Sequence, residues 1–442
     1  MDFRNILVPS LLIALMVVNS VNAEANYVLE LNQGINNVFK SIEYNDLIII
    51  NVDGKAFIVN LTSYEVYELV ANAIIDHLTS SGSSLIGIGR LNESPIILDV
   101  YDLSSVLAVK LGVNSTLYDV VKLNDYLLAV GYVVLDNVYR LVIHNLSRSN
   151  PYSYVADCRT SCYGRKLIVS SSNTLITGSA YLKSGIYGWN YDVFVGRLED
   201  AFVDGIYIEL DGNNFVVNAF MFGDLLYVVI NSDPSGVYLA AISLPNLRID
   251  AYRISLGTTS VRCLSALSRG DEVIMLIEDL VTGGRYLTVL NVSTLSVNAY
   301  DVGNASSVTV FKESVLTFNI LNELKGVLII NDVGNLRKAL NEVKVSLNAI
   351  KVKSSEIRFN LVKQPLTYDV NEHHLGMKYV GRLLNASTQI STSSGNVSYS
   401  KPLYELRSRA MGRNEYILVI GLAFIITSIT LKYLINLKGY RS

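Results

Sequence analysis

The residue types that usually carry chemistry are few in this chain. Its four histidines are His77, His144, His373 and His374. None sits in an HExxH pattern, which would put two imidazoles and a general base on one helix face. His373 and His374 are adjacent on a polar segment, an arrangement open to a metal but more often simply exposed to solvent. The three cysteines, Cys158, Cys162 and Cys263, lack the spacing of a zinc site. Cys158 and Cys162, in DCRTSC, can close a small disulfide loop in an oxidising compartment; two free thiols are the other reading. Asp46, Asp125, Asp224 and Asp271 recur along the chain. A glycosidase sets a pair of carboxylates about its scissile bond, but each of these aspartates stands just before an apolar run, where turn chemistry accounts for it. There is no GxSxG elbow and no phosphate-binding glycine loop. No catalytic residue, metal or cofactor is expected. One loop stands out: YLKSGIYGWNYDVF, residues 181–194, holds Tyr181, Tyr187, Trp189 and Tyr191 and the only tryptophan. Exposed aromatics of this kind anchor a sugar ring or a protein partner; a small core folded over its own sheet is the alternative. Tyr187, Trp189 and Tyr191 are the candidate partner-binding residues.

These side chains need a scaffold, and the chain spells it out by repetition. RYLTVLNVSTLSV, from Arg285, has counterparts in AFIVNLTSYEV from Ala56, YRLVIHNLSR from Tyr139 and VYLAAISLPNLRI from Val237. The position before the closing Leu or Val falls at Asn60, Asp102, Asn145, Arg197, Ser243, Asn291 and Asp332, with spacings of 42, 43, 52, 46, 48 and 41 residues. About 45 residues is the length of one four-stranded propeller blade. A second mark recurs upstream, in YNDLIII, LNDYLLAV, SSNTLITG, FGDLLYVV, RGDEVIML and FKESVLTF. There a polar pair makes a hairpin turn before an apolar strand. Each unit reads strand, tight turn, strand, longer loop, strand, turn, strand. Seven units predict an all-β, seven-bladed β-propeller over residues 24–340. Tyr27 to Leu31 (YVLEL) is expected to supply the missing strand of the last blade, with Glu342 to Ile350 as runner-up.

On these phrases the chain resembles the secreted β-propeller superfamily in general. It lacks the Trp-Asp ends, kelch glycine pairs, Asp-rich calcium loops and tryptophan docking pattern of named subclasses. The resemblance implies a fold and nothing catalytic.

Both termini read as addresses. MDFRNILVPSLLIALMVVNSVNA predicts a signal peptide over residues 1–23, cleaved after Ala23. Residues 416–437 predict one transmembrane helix, with a short cytoplasmic tail over 438–442; the apolar run of about 21 residues at ~1.5 Å each matches a hydrocarbon core. Eight sequons, at Asn60, Asn92, Asn114, Asn145, Asn291, Asn304, Asn385 and Asn396, fit an ectodomain outside the cell. Six fall before residue 305, none of them between Asn145 and Asn291, so used sequons leave the fourth and fifth units bare. Residues 336–415 carry 13 Lys+Arg against 6 Asp+Glu, while the first 335 residues net -13. The segment 341–415 therefore reads as a basic stalk with a Ser/Thr-rich linker. No nucleic-acid partner is expected. The low glutamine count, three in 442 residues, suits a thermophile and an archaeal envelope protein. The leading expectation is a membrane-anchored binding or scaffold module with an envelope protein or glycan as partner; an extracellular hydrolase acting on glycans or peptides is the alternative.

Overall fold

The computed structural model describes residues 27–385, with breaks at 32, 37, 71–72, 82–83, 103–104, 112–113, 124–125, 148–150, 159, 171–172, 185–187, 235, 245, 258–259, 313, 324–326, 334–340, 367 and 374–375. The expected signal peptide, transmembrane helix and tail lie outside these residues. The described residues hold only strands and turns, and no helix among them is long and apolar enough to cross a membrane. The fold is an all-β, propeller-like arrangement.

Its local unit is an antiparallel meander, and the repeated phrase is where the third strand turns into the fourth. RYLTVLN is the strand Arg285–Asn291, and after a turn Ser296–Asp301 runs back beside it. Asn291 shapes that turn, its Oδ1 accepting from the Ser293 and Thr294 amides at 3.1 and 2.9 Å. Asn60 does the same for Thr62 and Ser63 at 2.8 and 2.9 Å. The upstream polar pair also acts as expected: Asn45 and Asp46 take φ of 47° and 63°, as a tight hairpin of the right twist requires. Second strands such as Leu47–Val52 and Glu272–Asp279 are buried on both faces, which is why they read as unbroken apolar runs.

Six meanders of four strands follow one another over residues 38–70, 74–111, 115–157, 162–209, 213–255 and 261–301. A seventh has three strands, Ala305–Phe311, Ser314–Asn322 and Val327–Asp332, and is completed by Tyr27–Glu30, which pairs antiparallel with Val327–Asp332. Tyr27–Glu30 thus takes the place expected for it, and the runner-up, Glu342 to Ile350, pairs with other meanders. Apolar cores fill each junction in turn. The last joins the seventh meander to the first: Leu316, Phe318 and Ile330 pack with Ile48, Ile50 and Phe57 around Leu29.

Two expectations need correction. Hydrogen bonding does not make seven separate four-stranded sheets; among the described residues it makes five sheets of five strands and one of nine. Nor do residues 342–385 stand apart as a stalk. They run round the perimeter in the direction opposite to the meanders, adding an outer strand to each. Glu342–Val343 joins the sixth, Ser346–Ile350 the fifth, Lys353–Pro365 both the fourth and third, Tyr368–His373 the second, Gly376–Arg382 the first, and Leu384–Asn385 joins Tyr27–Glu30. The long strand Lys353–Pro365 fuses two meanders into the nine-stranded sheet. The physical reason is edge protection: the fourth strand of a lone meander exposes a row of unpaired backbone groups, which this segment covers. Its positive charge is used in place. Arg358 sits 3.8 Å over the Phe202 ring and Lys363 4.0 Å over Tyr152.

One device repeats without a sequence signature. The first strand of every meander carries a register shift, at Val38/Lys40, Ile75/His77, Leu117/Asp119, Gly164/Lys166, Val216/Asn218, Cys263/Ser265 and Ala305/Ser307. An extra residue bends the strand and raises its twist. The residue after each shift is polar in all seven.

Candidate aromatic binding face

Trp189 and Tyr191 are not in a loop: they lie on the strand Gly188–Leu198, hairpinned to Thr174–Ser184. Tyr187 lies outside the described residues. Tyr181 stands directly opposite Tyr191, with ring centroids 5.1 Å apart, and stacks on Trp189 at 5.5 Å and 22°. Strand alternation puts Trp189 and Tyr191 on one face and Asn190 and Asp192 on the other.

The aromatic contacts continue beyond this hairpin. Tyr191 meets Phe215 of the fifth meander at 5.7 Å and Tyr163 at 6.1 Å; Tyr163 meets Tyr118 at 5.9 Å and Tyr132 at 6.4 Å; Tyr132 meets Tyr139 at 4.8 Å. These tilted and edge-on geometries are the favourable ones for ring quadrupoles. Arg165 lies 4.4 Å over Tyr118. All these rings sit at the end of the meanders where first strands begin and second strands end. Trp189 is 54% exposed, Tyr139 41% and Tyr181 36%, and the others are partly covered beneath them. Burial pushes the Tyr163 phenol up to about 12 and raises Tyr118 and Tyr191, so these hydroxyls remain protonated donors at neutral pH.

The Cys158–Cys162 disulfide closes the connection between the third and fourth meanders, and that loop pins the face. Ser161 takes the Tyr139 amide on its Oγ at 3.3 Å and the Tyr181 amide on its carbonyl at 2.7 Å, while the Leu141 amide points at Cys162 Sγ at 3.4 Å. DCRTSC left a loop closure open beside two free thiols; that the closed loop tethers two tyrosines was not legible, because the partners are distant in sequence.

The other candidates are placed elsewhere. His144 is fully buried, with Nε2 3.0 Å from Ser115 Oγ and Nδ1 2.7 Å from Ser153 Oγ. Burial pushes its pKa down to about 4, so the ring is neutral. His77 lies 3.5 Å from buried Asp119, which Lys166 approaches to 3.1 Å and the Leu167 amide to 2.9 Å. Burial pushes the Asp119 carboxyl up, but Lys166, His77 and that amide outweigh it and hold it well below the usual carboxylate range. His373 is on an outer strand, and His374 and Asp125 lie outside the described residues. Asp46 pairs with Lys312 at 2.9 Å, the Asp224 carbonyl takes the Leu244 amide, and Asp271 accepts from Ser293 at 3.0 Å. These aspartates serve turns of separate meanders. Among the described residues no group of three or more His, Cys, Asp or Glu is arranged to hold a metal. Of the sequons, Asn114 and Asn304 are exposed, Asn92 sits in a positive-φ turn, and Asn145 gives its Nδ2 to Tyr152 Oη at 2.9 Å. Asn385 ends the last strand, and Asn396 lies outside the described residues.

No family model matches the chain, and no curated protein matches it. Among solved structures, a domain described as the extracellular part of a one-component system from B. thetaiotaomicron aligns with 10% identity and a TM-score of 0.44 over 70% of this chain. This chain spans 40% of that one. The AfRom2 CNH domain aligns with 8% identity and a TM-score of 0.40, over 69% of this chain and 98% of its own.

Proposed function

We propose that the chain is a membrane-anchored extracellular binding or scaffold module of the cell envelope. Its ring counts seven blades, the nine-stranded sheet being two blades joined by Lys353–Pro365. Partners are captured on the aromatic face of the third to fifth blades. The observation that carries this reading is the continuous set of ring contacts from Tyr139 to Phe215, topped by exposed Trp189. Rigid aromatics bury much apolar area for little lost conformational entropy, and interfaces concentrate their energy in such residues. Trp189 rests on Tyr181 with most of its surface in solvent, so it is an available anchor rather than a core residue. The expected signal peptide, anchor helix and sequons support that location.

The test compares tagged full-length protein with Trp189→Ala in capture from solubilised envelope extract. The variant is expected to keep its melting temperature and to bind ~30-fold more weakly, as loss of a ~2 kcal/mol anchor implies. Unchanged capture, or a variant that loses thermal stability instead, removes the contact reading.

A further inference from the structure

Directly behind the aromatic face, three buried side chains form one hydrogen-bonded cluster that leaves three of its oxygens unpaired. Asn190 and Asp192 are the inward residues of the strand that carries Trp189 and Tyr191; Asn214 begins the fifth meander. All three are over nine-tenths buried. The Asn190 amide nitrogen donates to the Gly212 carbonyl at 2.8 Å and to Asp192 Oδ1 at 3.3 Å. The Asn214 amide nitrogen donates to the Gly212 and Leu210 carbonyls at 2.9 and 3.2 Å and to Asp192 Oδ1 at 3.2 Å. These acceptors fix both amide orientations, because a flipped amide would set oxygen against oxygen. Left without any partner are Asn190 Oδ1, Asp192 Oδ2 and Asn214 Oδ1.

A buried unpaired acceptor costs ~1–3 kcal/mol, and native proteins rarely gather three in one place without something that satisfies them. Both amide nitrogens in the cluster are already engaged, so what is missing must bring positive charge or hydrogen from outside. We infer that Asn190, Asp192 and Asn214 bind a calcium-sized cation at the junction of the fourth and fifth meanders. Hard cations of this size take six to eight oxygens, mixing carboxylate, amide and backbone carbonyl ligands with water. The three side chains supply one carboxylate and two amide oxygens. Metal motifs built on His, Cys, Asp and Glu spacing miss such a set, because two of its three ligands are amides from different meanders.

Occupancy would brace the binding face. Asn213, next to Asn214, takes the Tyr191 amide on its Oδ1 at 3.1 Å, and Phe215 packs on the Tyr191 ring. The test is thermal unfolding of the full chain in EDTA, then with increasing calcium, for wild type, Asp192→Asn and Asn214→Ser. Wild type is expected to gain at least ~3 °C, saturably, and the variants to gain none. Terbium luminescence sensitised by Trp189 and the nearby tyrosines reads binding directly. It is expected to be displaced by calcium in wild type and absent in Asp192→Asn. A melting temperature indifferent to calcium, with no sensitised terbium signal, overturns the inference and leaves a proton on Asp192 or a buried water as the satisfying group. An equal calcium response in Asp192→Asn also overturns it.

Discussion

His144 has no exposed surface, and both its ring nitrogens face serine hydroxyls, which serve a neutral imidazole as donor on one side and acceptor on the other. Its folded pKa of about 4 lies below the unfolded value near 6.5, so the unfolded chain binds the extra proton between those limits. Stability is therefore expected to fall as pH drops from about 6.5 to about 4, by roughly 3 kcal/mol in full. Urea unfolding at stepped pH checks this, and His144→Gln should flatten that part of the profile. Cys158→Ser makes a second residue-scale prediction. Freeing the loop that holds the Tyr139 and Tyr181 amides should weaken partner capture more than it lowers the melting point. At this scale the sequence was legible where chemistry is visible in a residue's type: Trp189 stood out as the one tryptophan among tyrosines, though the strand that carries it was read as a loop. Asn190, Asp192 and Asn214 did not stand out, because they meet only through strand alternation and the neighbouring meander.

In the third and fourth meanders the bulge of the first strand crowds the second strand beside it. At Gly131 and Gly178, a Cβ would collide with the carbonyls of Thr116 and Tyr163, next to the shifts at Leu117/Asp119 and Gly164/Lys166. Gly178→Ala is expected to cost ~2 kcal/mol or more by overpacking, read as a lowered denaturant midpoint with an unchanged slope. The outer strand offers a complementary test. Phe359, on Lys353–Pro365, is buried against Phe194 at 5.3 Å and Tyr207 at 6.1 Å. Phe359→Ala should therefore destabilise by ~3–5 kcal/mol, a core-sized loss from a segment that sequence alone assigns to a spacer. The phrases and hairpin turns were legible because each is local, with its signal inside some 12 residues. The outer strands were not. KVSLNAIKV and EIRFNLV read as strands, but a strand does not name its partner, and theirs lie about 90 to 210 residues away.

For the whole molecule the question is what holds a ring shut. Seven junction cores and the strand Tyr27–Glu30 do so from within; the returning segment does so from outside. Two truncations separate its roles. Ending the chain before Arg413 keeps every described strand, and soluble ectodomain is expected in the supernatant after ultracentrifugation; if it still pellets with membranes, the anchor assignment is wrong. Ending it after residue 340 strips the outer strands, and the bared edges should drive self-association visible by light scattering. The return path also has a mechanical consequence. Leu384–Asn385 pairs with just two residues, Tyr27 and Val28. A pull on the chain beyond Asn385 meets that short pairing first, then Gly376–Arg382, then Tyr368–His373, and so on round the rim. Under load the segment would unwind like a drawstring, one blade at a time, each release lengthening the tether while the four-stranded blades stay folded.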